Sequence, residues 1–156
     1  MECCPMFDPS RWEGKAHSWK GKKFIRETVP QLFHIPFPPM IGQKITRMWK
    51  MACEVKMASG KEDALVLFYD PSPFKSEIYL SVKGAVPGAD NVELSGKYYS
   101  KVFDGPYNAV PKFINEMDQF LQKKGKAAKK YYIHYASCPK CAKEQGHNYL
   151  VMFAEV

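Results

Sequence analysis

The sequence contains no apolar run approaching the ~18–20 residues that a bilayer-crossing helix needs, and its start, MECCPMFDPS, is polar and proline-bearing where an export signal would be apolar. A cytoplasmic protein without a membrane partner is expected. The five cysteines (Cys3, Cys4, Cys53, Cys138 and Cys141) are an odd number, which does not describe a disulfide framework, so reduced thiols are the default. There is no helix-turn-helix pattern, no zinc-finger spacing and no basic stripe with interleaved aromatics, which argues against a nucleic-acid partner. No glycine-rich loop follows a strand, so nucleotide-dependent chemistry has no support.

What is present is enough for one substantial core. The chain has 156 residues, 46% hydrophobic and 14% aromatic, and ~100–200 residues per domain favours a single domain over 1–156. The formal charge of +7 comes from 23 Lys and Arg against 16 Asp and Glu. Much of the excess lies in KKGKAAKK (Lys123, Lys124, Lys126, Lys129, Lys130), which reads as a solvated helix end where cations suit the helix dipole.

One order of elements occurs twice. Residues 1–20 form an N-terminal arm without a clear period. In the first half, 21–85, the run KKFIRETVPQLFHIPF has a broken β pattern, and Pro30 and Pro36 reduce it to an edge or to short segments. Ile41, Ile45, Met48, Trp49, Ala52 and Cys53 then recur at spacings of three and four, predicting a helix that ends near Ser59-Gly60, with Cys53 as a small apolar filler of its buried face. DALVLFYD and EIYLSVKG, joined by the turn PSPFKS, predict a hairpin. The second half, 86–156, repeats the order. VELSGKYYSKVFDG is a strand with a bulge at Gly96, and a helix follows with Asn108 as its cap, Val110, Phe113, Ile114, Met117, Phe120 and Leu121 on its apolar face, and Gly125 at its end. KKYYIHYA and NYLVMFAEV complete the copy around the longer loop SCPKCAKEQGH.

The expected fold is therefore α+β: duplicated strand-helix-strand-strand units forming one antiparallel sheet, with two helices on one face and a cleft between the halves. Matching the copies places Tyr69 of FYDPSP against Tyr135 of HYASCP, Phe68 against His134, and Glu77 against Asn148.

The segment VFDGPYNAVPKFINEMDQFLQKKG resembles the GyrI-like small-molecule-binding domain family, which has a Gly-Pro-Tyr element before its second helix. IGQKITRMWKM and EIYLSVKGAVPG are similar to that family's first helix and following strand, and CPKCAKEQGHNYLVMFAEV resembles a short stand-alone subgroup whose members are uncharacterised or described as hydrolases. The resemblance covers roughly 20–156. It implies a ligand site with Trp49 and Tyr107 as aromatic walls and Glu77 as the acidic position, while the place of a second carboxylate is taken by Asn148. Longer relatives carry the domain behind a DNA-binding module and bind drugs or other effectors. A chain of this length leaves no room for that module, so direct transcriptional control is not expected.

The candidate ligand-binding residues are Trp49, Tyr69, Glu77, Tyr107, His134 and Asn148. Glu77 is also the catalytic candidate: a carboxylate desolvated among Phe68, Tyr69, Tyr79 and Trp49 would act as a base for water or a counterion for a cation. Cys138 and Cys141, with His147 nearby, are candidate zinc ligands, but they supply three of the roughly four that a structural site takes; otherwise no cofactor is expected. Three functions follow. The first is a binding domain for an apolar or aromatic small molecule, cationic ones included; the second is a cofactor-independent hydrolase of reactive electrophilic small molecules in the same cleft; the third is a zinc-stapled interaction domain. A monomer or a homodimer would serve each.

Overall fold

A computed structural model describes residues 8–32, 35–36, 38–60, 64–72, 75–106, 109–135 and 146–156. The fold is α+β, with antiparallel strands and two helices. After a short 3-10 turn at Pro9–Arg11, the elements are β1 (Lys15–Leu32), β2 (Ile35–Pro36), α1 (Pro38–Glu54), β3 (Val66–Ser72), β4 (Lys75–Ser81), β5 (Asp90–Asp104), α2 (Val110–Gln122), β6 (Lys130–Tyr135) and β7 (Tyr149–Glu155). They fall into two compact units, Lys20–Ser95 and a second made of Gly96–Val156 with the residues up to Trp19. The division passes through β1 and β5. No helix among the described residues is long and apolar enough to cross a membrane.

In the Lys20–Ser95 unit the strand order is β2-β1-β4-β3. Residues directly opposite in an antiparallel pair share a face, so the register sorts the side chains. Ile25 lies opposite Leu80 and Phe68 opposite Ile78. These residues pack with Val29, Met48 and Ala52, and Ile41, Ile45 and Trp49 of α1 join the same core. The alternate positions, Phe24, Arg26, Thr28, Tyr69, Glu77 and Tyr79, therefore lie on the face away from α1.

The Gly96–Val156 unit has the order β6-β7-β5. Leu150, Met152 and Ala154 pack with Phe103, Phe113, Met117 and Leu121, and Tyr131, Ile133 and Tyr135 border that core. Met117 and Leu121 are fully buried, each stabilising the fold by ~1.5–3 kcal/mol. Val151 and Phe153 are also fully buried but alternate with that set, so they belong to the other face together with Tyr98, Ser100, Tyr132 and His134.

Four sequence expectations are corrected. β1 is one 18-residue strand running through Pro30; this proline lies two residues from the strand end, where a missing donor costs the ladder little. The same strand begins at Lys15, inside the expected N-terminal arm. Cys53 is exposed, because Met48 and Ala52 carry the buried stripe and the next residue has rotated off it. Finally, the first helix ends at Glu54 rather than near Ser59-Gly60. Its end is a Schellman turn, with Met57 N donating to Ala52 O at 2.8 Å and Lys56 N to Cys53 O at 3.1 Å, and it holds Lys56 at φ 59°.

The second helix ends the same way with the residue type suited to it. Lys126 N donates to Leu121 O and Gly125 N to Gln122 O, with Gly125 at φ 69°. Ala109 precedes its first helical residue, in the place expected for Asn108, which lies outside the described residues. Gly96, the expected bulge, has φ 130°.

A left-handed conformation costs a non-glycine residue roughly 1–2 kcal/mol. Lys56→Gly should therefore stabilise the protein by about 1 kcal/mol net of glycine's entropy, raising Tm by ~2–4 °C in thermal denaturation. Gly105→Ala should do the reverse. A Cβ there would stand 2.9 Å from Cζ of Phe113, whose ring stacks on Phe103 with centroids 4.8 Å apart. A loss of about 1–3 kcal/mol in urea unfolding is the expected cost of that overpacking.

Candidate functional site

β3 and β4 bring Tyr69 and Glu77 directly opposite each other, and Tyr79 follows two residues later on the same face. The hairpin thereby builds a carboxylate–phenol pair: Tyr79 Oη donates to Glu77 Oε1 at 2.7 Å. Glu77 is half-buried, whereas Tyr79 is 5% exposed. Burial pushes the Tyr79 phenol up to about 12; the bond to Glu77 adds to this and a hydrogen bond from Arg26 opposes it. At neutral pH Tyr79 is thus a committed proton donor. The ring of Phe24 meets Tyr79 edge-on, with centroids 6.3 Å apart.

β1 adds a cation to this face. Arg26 is the cross-strand partner of Tyr79, and its Nε donates to Asp90 Oδ2 at 2.8 Å. That bond, with a second to Tyr79, raises the Arg26 pKa above its ordinary value. Asp90, Arg26, Tyr79 and Glu77 thus form one connected chain of polar groups. A cavity of about 300 Å³ in the same unit is lined by Lys23, Phe24, Asn91 and Glu93 among others. It includes neither member of the carboxylate–phenol pair, and the pair offers the more specific chemistry.

Of the residues singled out from sequence, Tyr69 and Glu77 come together. Trp49 does not join them. It packs on the α1 face with Ile25 and Ile78, and Phe68 lies on that side too, so the carboxylate is surrounded by Tyr69 and Tyr79 rather than by the tryptophan. His134 and Asn148 belong to the Gly96–Val156 unit. His134 faces away from α2, opposite Val151, whereas the Asn148 side chain donates from Nδ2 to Gly105 O at 2.7 Å. That bond ties the start of β7 to the end of β5, and Asn148 Oδ1 is buried without a hydrogen-bond partner among the described residues.

The expected pairing of the copies is one residue out of phase. Tyr69 and Tyr135 lie on opposite faces relative to the helix of their own unit, as do Phe68 and His134. Shifting a strand by one residue exchanges its faces.

Tyr107, Cys138 and Cys141 lie outside the described residues. The neighbouring His147 is engaged elsewhere. Its Nδ1 is 2.8 Å from Asp104 Oδ2, and its ring stacks on Tyr149. The His147 bond is the leading cause holding the Asp104 carboxyl below its usual range. Among the described residues, no group of three His, Cys, Asp or Glu could hold a metal ion.

A serine–histidine contact also appears that sequence reading missed. His17 Nε2 and Ser100 Oγ are 2.7 Å apart, in an aromatic cluster where Trp12, His17 and Trp19 surround Phe153. The hydroxyl's single proton is committed to Trp12 O at 2.7 Å. Ser100 therefore accepts from His17, which makes the imidazole a donor here and not a base that activates the serine.

Arg26, Tyr79 and Asp90 were missed as site residues too. Tyr79 could have been found from its spacing of two from Glu77. The pairing of Arg26 with Asp90 depends on a separation of 64 residues that no local pattern encodes.

The fold has solved counterparts. The EcmrR C-terminal domain matches with a TM-score of 0.64 at 11% identity, covering 92% of this chain and 96% of that one. A hydrolase encoded by lin2189 from Listeria innocua matches at 0.61 and 10%, covering 92% and 91%. SAV2435 bound to tetraphenylphosphonium matches at 0.55 and 13%, covering 92% and 93%. These likenesses establish the fold. No match was found among curated proteins. The model of the family described as bacterial hydrolase matches residues 1–156, and the chain belongs to that family.

Proposed function

We propose that this protein is a GyrI-like domain, derived from two duplicated strand-helix-strand-strand units, that binds an apolar or aromatic, cationic small molecule against the face carrying Tyr69, Glu77 and Tyr79. The observation that carries this reading is the half-buried Glu77 carboxylate set between two tyrosines and oriented by the Tyr79 phenol. A carboxylate in such surroundings attracts a delocalised cation strongly because little water screens it, and the tyrosine rings supply flat apolar walls. The structural counterpart SAV2435 has bound such a cation, tetraphenylphosphonium. Tyr107 is retained as a further wall on the strength of the family resemblance.

A second reading, hydrolysis, is favoured by the description of the family and by the same pair. Glu77 would take a proton from water as the water oxygen bonds to an electrophilic carbon of a strained ring. The ring bond breaks, and Tyr79 gives its proton to the leaving heteroatom. The proton gained by Glu77 returns to Tyr79 along their hydrogen bond, which restores both groups without a cofactor.

Tetraphenylphosphonium titrated by calorimetry tests binding. Glu77→Gln should weaken it by about tenfold; absence of binding, or equal affinity in the variant, removes the reading. Because the Tyr79 phenol is pushed up to about 12, affinity should stay level through the pH range around ~10 where an ordinary tyrosine ionises. Its folded pKa is raised, so the phenol's contribution is lost only as pH climbs towards that value. For hydrolysis, an epoxide-bearing aromatic should be opened by the unaltered protein, and Glu77→Gln should abolish turnover; undiminished turnover in the variant excludes Glu77 as the base.

A further inference from the structure

Two carboxylates and one guanidinium are linked through the Tyr79 hydroxyl. Arg26 lies directly across from Tyr79, and Thr28, not a charged residue, lies across from Glu77. A diagonal neighbour on an antiparallel pair is roughly 7–8 Å away, which is within reach of a long side chain. Arg26 could therefore swing to Glu77 and neutralise it. It is instead engaged at Nε by Asp90 Oδ2, at 2.8 Å, and it meets Tyr79 on the way. Glu77 keeps a neutral partner, the Tyr79 hydroxyl.

We infer that Asp90 is a specificity-determining residue: by holding Arg26 in a pair of its own, it leaves the Glu77 carboxylate uncompensated and so selects cationic over anionic ligands. This rests on the proposed binding site and adds to it a residue that lies outside the aromatic cluster. The sign of the preference follows from the charges. With Asp90 present, the connected groups sum to one negative charge, two carboxylates against one guanidinium. Without the Asp90 charge they sum to zero, and the released guanidinium has the Glu77 carboxylate within diagonal reach. Removing Arg26 instead leaves both carboxylates, so the preference for a cation should strengthen. Asp90 and Arg26 are partly exposed, with side-chain exposures of 52% and 35%. Their pairing therefore adds little to stability, and its consequence is where it leaves the guanidinium.

Tetraphenylphosphonium and tetraphenylborate have the same shape and opposite charge, so the ratio of their affinities isolates the electrostatic preference from the aromatic contact. Calorimetric titration of both ions into the full chain should give a ratio favouring the phosphonium. Asp90→Asn should lower that ratio by about tenfold, and Arg26→Gln should raise it by about threefold or more. The opposite signs matter, because a merely structural role for the pair would weaken binding in both variants alike. Circular dichroism of each variant confirms that it has folded. An unchanged ratio in Asp90→Asn, or a fall in both variants, overturns the inference while leaving the binding site intact. Failure of the unaltered protein to bind the phosphonium overturns the proposed site and this inference together.

Discussion

A strand has two faces, and in each unit a helix has claimed one of them. α1 takes Ile25, Val29, Ile78 and Leu80, and α2 takes Leu150, Met152 and Ala154. Every alternate residue is thereby directed elsewhere. This leaves Glu77 and Tyr79 side by side on a face free of the helix, whereas Ile78 between them is fully buried. The chemistry of the candidate site thus depends on packing that involves none of its own residues. A change in register of one position would bury the carboxylate under α1 and turn Ile78 outwards.

The same alternation explains what could be read from the sequence. The two helices were legible because their apolar residues recur at three and four along otherwise polar segments, as Val110, Phe113, Met117 and Leu121 do. The hairpin of β3 and β4 was legible from its turn residues. The phase of the strands was harder. DALVLFYD and KKYYIHYA carry aromatic or aliphatic residues on both faces, so period two is hidden, and Tyr69 was matched to Tyr135 when His134 lies on the corresponding face. The continuity of β1 through Pro30 was hidden for another reason: a proline signals a break wherever it stands, and only the partner strand shows that it lies near the ladder's end.

Part of the candidate site was likewise visible. Glu77 stood out as a carboxylate in an aromatic strand, and its pairing with Tyr69 follows from the hairpin. Trp49 did not share that space because helical spacing says which residues share a stripe but not which face of the sheet the stripe covers. The Arg26–Asp90 pair and the cluster of Trp12, His17 and Trp19 on Phe153 are long-range contacts made by β1 and the short turn before it. Contacts of this kind leave no local signal.

The two helix ends show local preference and global fold in different relations. At Gly125 the residue and the turn agree; at Lys56 the same turn is imposed on a side chain that resists it. The agreement of many such local choices is what gives a folding landscape its slope, and Lys56 is a point of frustration on it. Just beyond the turn, Lys83 N donates to Met57 O at 2.8 Å. The last turn of α1 is therefore closed by its own Schellman bonds, around a strained residue, and tied from outside the helix as well. Its amides should be among the first in that helix to exchange with solvent, whereas α2 makes the same closure around a glycine that adopts it without strain.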